Sequence, residues 1–340
     1  MTVKTSNLGY PRIGEQREWK KALEAFWKGS ISEEQLHKEM KMIRLHHLKK
    51  QKDFGVDYIP VNDFTYYDHV LDTAAMFGIV PKRFNHTGGP VSLETYFEMA
   101  RGGKTQACEM TKWFDTNYHY IVPEWTDAQP TLVENKPLKA YKEAKEELNI
   151  NGKPVIVGPF TFLSLSKGYD QSEFTSLLSQ LIPLYSQVLS ELKAEGAELV
   201  QIDEPMFVTD LTTEDWQVIK QAYTQLANAT NIDILVQTYF ESVDHYLELI
   251  SLPVKGIGLD FVYGKEKHLE ALATFGFPQE KILGVGIIDG RNIWKTDLKE
   301  SIMLLKQIEK VVPYSRQLLQ PSSSLLHVPV TLSLRIQLIH

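Results

Sequence analysis

The sequence is poor in cysteine, and its charge is not dominated by cations. Cys108 is the single cysteine among 340 residues. An intramolecular disulfide and a cysteine-rich zinc site are therefore excluded within this chain, and the lone thiol fits a reducing compartment. The formal net charge is −7, and no long basic stripe offsets it. General binding of nucleic acid is therefore not expected, and any recognition of anions must depend on a few local cations.

Long apolar runs are also lacking. No run is long enough to span a bilayer, and the first residues do not contain the apolar region of a secretory signal. With 43% hydrophobic and 23% charged residues, the composition is that of a globular protein able to bury a full core. We expect a cytoplasmic protein without a membrane partner.

Several familiar catalytic motifs are absent from the sequence. It contains no glycine-rich dinucleotide fingerprint, no P-loop and no serine nucleophile elbow. The ten histidines do not follow a metal-binding spacing, and Cys108 has no obvious base partner in sequence. Structural histidines and an unreactive thiol are the default interpretation.

The first 55 residues contain helical signals. Apolar side chains recur at helical spacing from Trp19 to Trp27, and Gly29 can end that helix. Ser32, followed three residues later by Gln35, is a capping-box signal for a second helix that stops near Gly55. These signals predict a helical hairpin over about residues 15–54.

Beyond the hairpin, short apolar runs alternate with amphipathic segments. The predicted strands are Val3–Leu8, VDYIPVNDF, Met110–Phe114, KPVIVGPFTF, AELVQIDEP, IDILVQTYF, VKGIGLDFV, KILGVGIIDG and Arg316–Leu319. Amphipathic helices are predicted over 173–195 and 213–229. About eight repeats of strand and helix predict an α/β fold, a (β/α)8 TIM-like barrel, rather than an open doubly wound sheet.

Polar and turn-forming residues follow most predicted strands. They are Asn62, Asp63, Gly158, Pro159, Asp203, Glu204, Thr238, Asp260 and Asp289. In a barrel they would converge on the carboxyl end, where active sites lie, although each is also an ordinary turn or cap residue. Asp203 and Glu204 resemble an acid–base pair, but neighbours on a strand point to opposite faces unless the strand has ended.

The first helix has an unusual charge pattern. Arg17, Lys20 and Lys21 stand near its amino-terminal end, where the helix dipole disfavours cations. Two interpretations remain open: a solvated face, for which a Glu24–Lys28 pair would be typical, or a cradle for an anion. Lys112 is a further cation, embedded among aromatic residues in MTKWFDTNYHY.

At these residues the chain resembles the N-terminal half of the cobalamin-independent methionine synthases, which are 5-methyltetrahydropteroyltriglutamate–homocysteine methyltransferases. The motifs are LGYPRIGEQREWKKALEAFWKG, MTKWFDTNYHY, QIDEP, GIIDGRNIW and PSSSLLHVPV, in that order. The resemblance covers Leu8 to Val330.

The resemblance implies two (β/α)8 barrels packed face to face. The C-terminal barrel would hold zinc, L-homocysteine and most of the chemistry, without cobalamin. The N-terminal barrel would hold the polyglutamate tail of 5-methyltetrahydropteroyltri-L-glutamate. The folate-binding positions would fall on Gln16, Arg17, Glu18, Trp19, adjoining Lys20, and Lys112. Because γ-linked glutamates form a string of carboxylates, arginine and lysine suit them.

The resemblance also suggests domain bounds. We expect one barrel domain over residues 1–332, a tail at 333–340 that departs from the family pattern, and a catalytic zinc barrel outside this chain. The fragment alone should be inactive. Two alternatives remain: a purely structural or interaction barrel, and a stand-alone barrel enzyme resembling uroporphyrinogen decarboxylase that uses Asp203 or Asp289.

Overall fold

The amino-terminal hairpin forms as the sequence predicts. In the computed structural model, which describes residues 3–126 and 128–331, helix α1 spans Glu18–Trp27 and α2 spans Glu33–Asp53. The Ser32 side chain accepts a hydrogen bond from the Gln35 backbone at 3.2 Å and so caps α2. Gly29 and Gly55 take positive φ values of 70° and 75°, which glycine adopts without a steric cost.

Eight parallel strands form the predicted barrel. They are β1 (Lys4–Thr5), β2 (Pro60–Val61), β5 (Lys153–Val157), β6 (Leu199–Asp203), β7 (Asp233–Gln237), β8 (Gly256–Asp260), β9 (Ile282–Ile288) and β10 (Gln317–Pro321). Their order is β1-β10-β9-β8-β7-β6-β5-β2. A parallel bridge between Ser6 and Tyr58, with Tyr58 N donating to Thr5 O at 3.0 Å, joins the two ends and closes the sheet.

Helices follow the strands and cover the outside of the barrel. They are α3 (His69–Met76), α4 (Leu93–Arg101), α5 (Lys136–Leu148), α6 (Pro159–Ser164), α7 (Phe174–Glu195), α8 (Thr213–Ala229), α9 (Tyr246–Ser251), α10 (Lys265–Phe275) and α11 (Leu298–Glu309). The two predicted amphipathic segments are thus α7 and α8. Their apolar faces pack against the barrel in one large core, because strands buried on both sides need a cover of apolar side chains.

The predicted strand at Met110–Phe114 is shorter and lies outside the barrel. Strand β3 (Met110–Lys112) pairs antiparallel with β4 (His119–Ile121) in a hairpin. Phe114 takes a φ of 50°, and Thr116 Oγ1 donates to the Trp113 carbonyl at 2.6 Å, so the chain turns back before a longer strand can form. A short apolar run could not distinguish these two placements.

This β3–β4 hairpin covers the carboxyl end of the barrel. Trp113 and Phe114 pack against Leu8, Tyr239 and Phe240, which follow β1 and β7. The Tyr118 hydroxyl donates to the Leu326 carbonyl at 2.8 Å, which ties the hairpin to the segment after β10. The barrel is therefore closed by aromatic side chains where a barrel enzyme usually has an open site.

Two further expectations from the sequence concern membrane-spanning helices and the carboxyl-terminal tail. Within 3–126 and 128–331, no helix is long and apolar enough to cross a membrane. The departing tail expected at residues 333–340 lies outside the residues that the structure describes, as does the end of the expected domain at residue 332.

Candidate ligand-binding surface

The loop before α1 is held by Glu18. Its carboxylate accepts a hydrogen bond from the Gln16 backbone at 2.9 Å. A Cβ on Gly14 would lie 2.1 Å from Glu18 Oε2, so only glycine lets the carboxylate fold back in this way. Arg17, the residue before the helix, has a φ of 65° and makes no side-chain capping hydrogen bond. Glu18 therefore shapes the loop, and Arg17 extends from it into solvent.

Trp19 points inward rather than toward solvent. Its indole Nε1 donates to the Thr65 carbonyl at 2.9 Å. The Arg12 guanidinium stacks on its ring at 4.7 Å and donates to the Thr65 hydroxyl. Arg12 is half-buried, and burial lowers its pKa. These contacts fix the start of α1 against the segment after β2.

The cations at this helix end are exposed, and they differ in their partners. The Lys20 ammonium lies 3.6 Å from the Glu24 carboxylate. Glu24 therefore pairs with Lys20, and the predicted Glu24–Lys28 pair is wrong. In the part of the chain that the structure describes, no carboxylate pairs with Arg17 or Lys21. Arg17 and Lys21 are thus available to an external anion, and Lys20 is partly neutralised.

Lys112 is exposed at the end of β3, opposite His119 in the hairpin register. It also has no carboxylate partner among residues 3–126 and 128–331. The hairpin is fixed by Asp68, whose Oδ2 accepts from the Ile121 backbone at 2.9 Å while Oδ1 caps α3 through Leu71 N at 2.8 Å. Burial raises the pKa of Asp68 to about 7.

The two groups of cations share one support. Thr65 anchors Trp19, and Asp68 anchors the hairpin. These residues are three apart in sequence, so their Cα atoms are at most about 11 Å apart. No hydrogen bond or ion pair within the described ranges joins Lys112 directly to Arg17, Lys20 or Lys21. The structure thus connects both groups to the Thr65–Asp68 segment. We call Arg17, Lys20, Lys21 and Lys112 the rim cations.

The predicted acid–base pair is divided between two sides of β6. Asp203 faces the barrel interior, where it accepts from Gln201 Nε2 at 2.7 Å and from the Tyr239 hydroxyl at 3.3 Å. Glu204 faces the helices and accepts from Thr161 N at 2.7 Å and the Tyr223 hydroxyl at 2.8 Å. Burial raises the pKa of each carboxyl to about 7. They cannot act together on one substrate.

Other residues at the strand ends also have structural partners. Asp63 accepts from Tyr10 N at 2.7 Å, and Thr238 Oγ1 donates to the Gly258 carbonyl at 2.9 Å. Asp260 accepts from three backbone N–H groups, and Asp289 from Arg291 N at 2.8 Å. Gly158 leaves room for the Glu204 carboxyl, which a Cβ would approach to 2.1 Å. The turn-and-cap interpretation accounts for this set.

Little space remains inside the barrel. A cavity of about 30 Å³ lies under the hairpin, among residues that include Asp63, His69, Asp203, Tyr239 and His327. Lys153 is buried beside it and donates to Ser6 Oγ at 2.8 Å, to the Asn7 carbonyl at 2.9 Å and to Gln201. A cavity of that volume holds about one water molecule and no organic substrate.

The donor set does not fit zinc. Across 3–126 and 128–331, no three histidine, cysteine or carboxylate side chains are grouped to hold a metal ion. Cys108 is buried, and burial raises the pKa of its thiol to about 12, which disfavours the thiolate that zinc binds. The described residues therefore offer no donor set of the kind that zinc prefers.

Sequence reasoning missed Arg12 and Arg291. Arg291 stacks on Phe240 and Tyr263 at 5.3 and 4.9 Å, and it donates to the Asp115 carbonyl at the hairpin turn. A signal for Arg12 was available, because it lies in a non-helical stretch between Pro11 and Gly14. Its partner Thr65 is 53 residues away and could not be identified from spacing.

Comparisons with known proteins agree with this architecture. The family model described as "Cobalamin-independent synthase, N-terminal domain" matches residues 4–313. A 5-methyltetrahydropteroyltriglutamate–homocysteine methyltransferase from Halalkalibacterium halodurans is 57% identical over 329 residues, covering 96% of this chain and 44% of that protein. The enzyme of that name from Listeria monocytogenes is 54% identical and covers 96% of this chain and 43% of its own length.

Solved structures show the same fold at low sequence identity. A B12-independent methionine synthase from Shewanella sp. W3-18-1, in complex with selenomethionine, superposes with a TM-score of 0.70 at 15% identity over 96% of this chain and 92% of that chain. A putative vitamin-B12-independent methionine synthase from Listeria monocytogenes gives 0.66 at 13% identity, over the same shares. The chain spans less than half the length of the curated relatives it matches. Its match to the family model over 4–313 establishes that it belongs to the cobalamin-independent methionine synthases, as their N-terminal domain.

Proposed function

We propose that this chain binds the folate polyglutamate tail for an enzyme that moves a methyl group from 5-methyltetrahydropteroyltri-L-glutamate to L-homocysteine, giving L-methionine. The curated relatives are named for that methyl transfer, and this chain corresponds to 44% of one of them. The activity belongs to the complete protein, and the chain alone is inactive.

One observation carries the proposal: exposed cations without carboxylate partners flank a rigid segment. Arg17 and Lys21 stand at a helix start whose N–H groups favour anions, and Lys112 stands on the hairpin anchored by Asp68. A chain of γ-linked glutamates presents carboxylates at intervals along its length. Bound across this surface, it would receive charge-assisted hydrogen bonds at both ends.

The remaining site residues act by positioning. Glu18 holds the loop that presents Arg17, and Trp19 fixes the start of α1 through Thr65. The backbone of Gln16 is bound by Glu18, which leaves its exposed amide side chain to contact ligand. The tail would lie on the surface, since the 30 Å³ cavity in the barrel cannot admit it.

The chemistry of methyl transfer is assigned to polypeptide outside this chain. Zinc and L-homocysteine would be bound there, because this domain has one buried cysteine and no grouped metal ligands among its described residues. We retain one barrel domain over 1–332 and a cytoplasmic location as parts of the proposal. The buried, unpaired thiol of Cys108 is consistent with a reducing compartment.

The alternatives receive less support. A stand-alone enzyme resembling uroporphyrinogen decarboxylase would need an open barrel end, whereas here the β3–β4 hairpin covers that end. Asp203 and Asp289 already accept hydrogen bonds from Gln201 and from the Arg291 backbone. A purely structural barrel would not require Arg17, Lys21 and Lys112 to remain without carboxylate partners. The binding experiment distinguishes a purely structural barrel, which would not bind the folate tail, from the main proposal.

The experiment compares triglutamyl with monoglutamyl 5-methyltetrahydrofolate by titration calorimetry on this chain. We expect the triglutamate to bind about tenfold more tightly, and Lys112→Glu to remove most of that difference. Lys220→Glu, which reverses an exposed lysine on α8, is the matched control and should preserve it. Equal affinity for both folates in the unsubstituted chain would contradict tail binding.

A further inference from the structure

A cavity of about 450 Å³ lies on the side of the barrel, where helix α2 of the amino-terminal helical hairpin faces α3, α4, α5 and the segment after β2. That volume is in the range of cavities that bind small organic molecules, whereas the cavity inside the barrel holds about one water molecule. The four rim cations, all of them described residues, do not line this side cavity. It is therefore a second candidate site, separate from the proposed ligand surface.

The apolar part of the cavity wall is largely aromatic. Phe64 and Tyr66 come from the segment after β2, and Tyr96 comes from α4. Met76 on α3 and Leu93 on α4 complete this part of the wall. Phe64, Met76 and Tyr96 are buried, so their positions are fixed by packing. Because aromatic rings pack well edge-to-face or offset against other rings, this wall favours a flat aromatic ligand.

The charged groups of the cavity wall are paired with one another. Each cation has a carboxylate partner, and the ion pairs are Arg44–Glu143, Lys136–Asp72 and Lys139–Glu134. Arg44 donates two hydrogen bonds to Glu143, of 2.6 and 2.8 Å. The remaining carboxylate, Glu33, lies 3.4 Å from His37 Nε2. A charged ligand would have to separate one of these pairs, so the wall favours a neutral ligand.

One polar side chain of the cavity wall, Asn62, is only half satisfied. Its Nδ2 donates to the Val155 carbonyl at 2.9 Å, which sets the orientation of the amide. Its Oδ1 is buried and accepts no hydrogen bond from any residue within 3–126 and 128–331. Asn62 also has a φ of 68°, a left-handed conformation that asparagine adopts more readily than most residues. A buried acceptor without a donor is costly, and a ligand N–H or O–H group would offset that cost.

We propose that the side cavity binds a neutral aromatic molecule that carries an N–H or O–H group and donates it to Asn62 Oδ1. The ring of the ligand would pack against Phe64 and Tyr96. Phe64 and Tyr66 flank Thr65, which anchors Trp19, so an occupant would contact the segment that supports the rim cations. The inference does not rest on the proposed function, because none of its contacts involves the folate tail.

Nuclear magnetic resonance of the chain labelled with ¹³C-methyl methionine tests the site, with indole as the probe. Indole is neutral and aromatic and has an N–H group, whereas benzofuran has the same shape with an oxygen acceptor in that place. Met76 lines the cavity, and Met206, half-buried after β6, is the control. We expect indole to shift the Met76 resonance saturably, with a dissociation constant below about 1 mM, and to leave Met206 unchanged. Benzofuran should bind at least about fivefold more weakly.

Two variants locate the contacts. Asn62→Gly tolerates the positive φ and removes the acceptor, so it should weaken indole binding about fivefold and leave benzofuran binding unchanged. Ala140→Phe places a ring in the cavity and should abolish binding of both probes, whereas Ala273→Phe, on the exposed side of α10, should not.

Three results would overturn the proposal: parallel shifts of Met76 and Met206 without saturation, equal affinity for indole and benzofuran, or indole binding that Asn62→Gly leaves unchanged. The probe comparison in the unsubstituted chain decides even where a variant fails to fold. No folate is present, so a failure of tail binding would not alter these results.

Discussion

The interior of the barrel and its outer rim treat charged groups in opposite ways. Inside, Lys153 and Gln201 are buried and Asp203 is half-buried, and all three are bound to one another or to backbone groups. On the rim, Arg17 and Lys112 are exposed and have no carboxylate partner within the described ranges. Buried charges must be paired because desolvation is costly, whereas exposed charges can remain available to a ligand.

The contrast shows which charges serve folding and which can serve binding. A barrel usually places its ligand among the strand ends, but here the β3–β4 hairpin and its aromatic residues occupy that position. The same hairpin carries Lys112 on its exposed side. Closing the barrel therefore creates the surface on which a ligand is proposed to lie. Substitutions in the two regions should consequently affect different measurements.

The largest effect is expected at Glu204. Replacing Glu204 with alanine leaves the Thr161 and Phe160 amides and the Tyr223 hydroxyl buried without their acceptor. The free energy of unfolding should fall by about 3 kcal/mol, measured by urea denaturation. Glu270→Ala, at an exposed position on α10, is the control and should change it by less than about 0.5 kcal/mol. Equal losses for both variants would contradict the structural role of Glu204.

A smaller effect should appear as a pH dependence. Burial raises the pKa of Glu204 from 4.5 to about 7. Between these values the folded state retains a proton that the unfolded state has released, so the free energy of unfolding falls as pH rises through this window. Replacing Glu204 with glutamine should reduce that fall between pH 5 and 7 by about 2 kcal/mol. Urea denaturation at the two pH values measures it, and an unchanged slope in the variant would refute the assignment.

On the rim, a substitution at Arg17 should separate stability from binding. Arg17 has a φ of 65°, so glycine relieves backbone strain while removing the cation. Replacing Arg17 with glycine should leave stability within about 1 kcal/mol of the unsubstituted chain and weaken triglutamate binding about fivefold. Asn149→Gly, at a φ of 51° on the C-cap of α5, controls for the backbone change. Binding unaffected by Arg17→Gly would exclude this residue from the ligand surface.

The smallest effect is expected at Lys20. Because Lys20 pairs with Glu24, its replacement with alanine should weaken triglutamate binding less than twofold. Lys21 has no such partner among the described residues, and Lys21→Ala should weaken binding about threefold. Calorimetric titration of both variants resolves which lysine faces the ligand. A larger loss at Lys20 than at Lys21 would reverse this assignment.

Local signals predicted much of the fold. Gly29, Ser32 and Gly55 predicted where the helices of the amino-terminal helical hairpin begin and end, since each caps or ends the helix next to it. The strand near Met110 was misplaced because a three-residue run has the same pattern in a barrel as in a hairpin. Glu24 was assigned to Lys28 because both directions of an i,i+4 pair look alike in sequence, and here Lys20 is the partner.

The candidate site was only partly accessible to sequence reasoning. Local charge singled out Arg17 and the lysines beside it, the aromatic surroundings singled out Lys112, and the family resemblance placed these residues in one predicted site. The role of the Thr65–Asp68 segment as their common support depends on contacts over 46 and 53 residues, which local patterns do not encode. Whether a carboxylate accepts hydrogen bonds from other residues of the chain also depends on tertiary contacts. The partners of Asp203 and Glu204 therefore could not be predicted from the sequence.

A pair of charge-matched double variants tests the rim most directly. Arg17→Glu with Lys112→Glu reverses the proposed ligand contacts, and Lys193→Glu with Lys220→Glu reverses two exposed lysines on α7 and α8. Both double variants change the net charge equally, so long-range electrostatics is held constant. We predict that the first weakens triglutamate binding at least thirtyfold at 0.15 M salt and that the second weakens it less than threefold. Equal losses in the two variants would contradict a specific carboxylate-binding surface at the start of α1 and the β3–β4 hairpin.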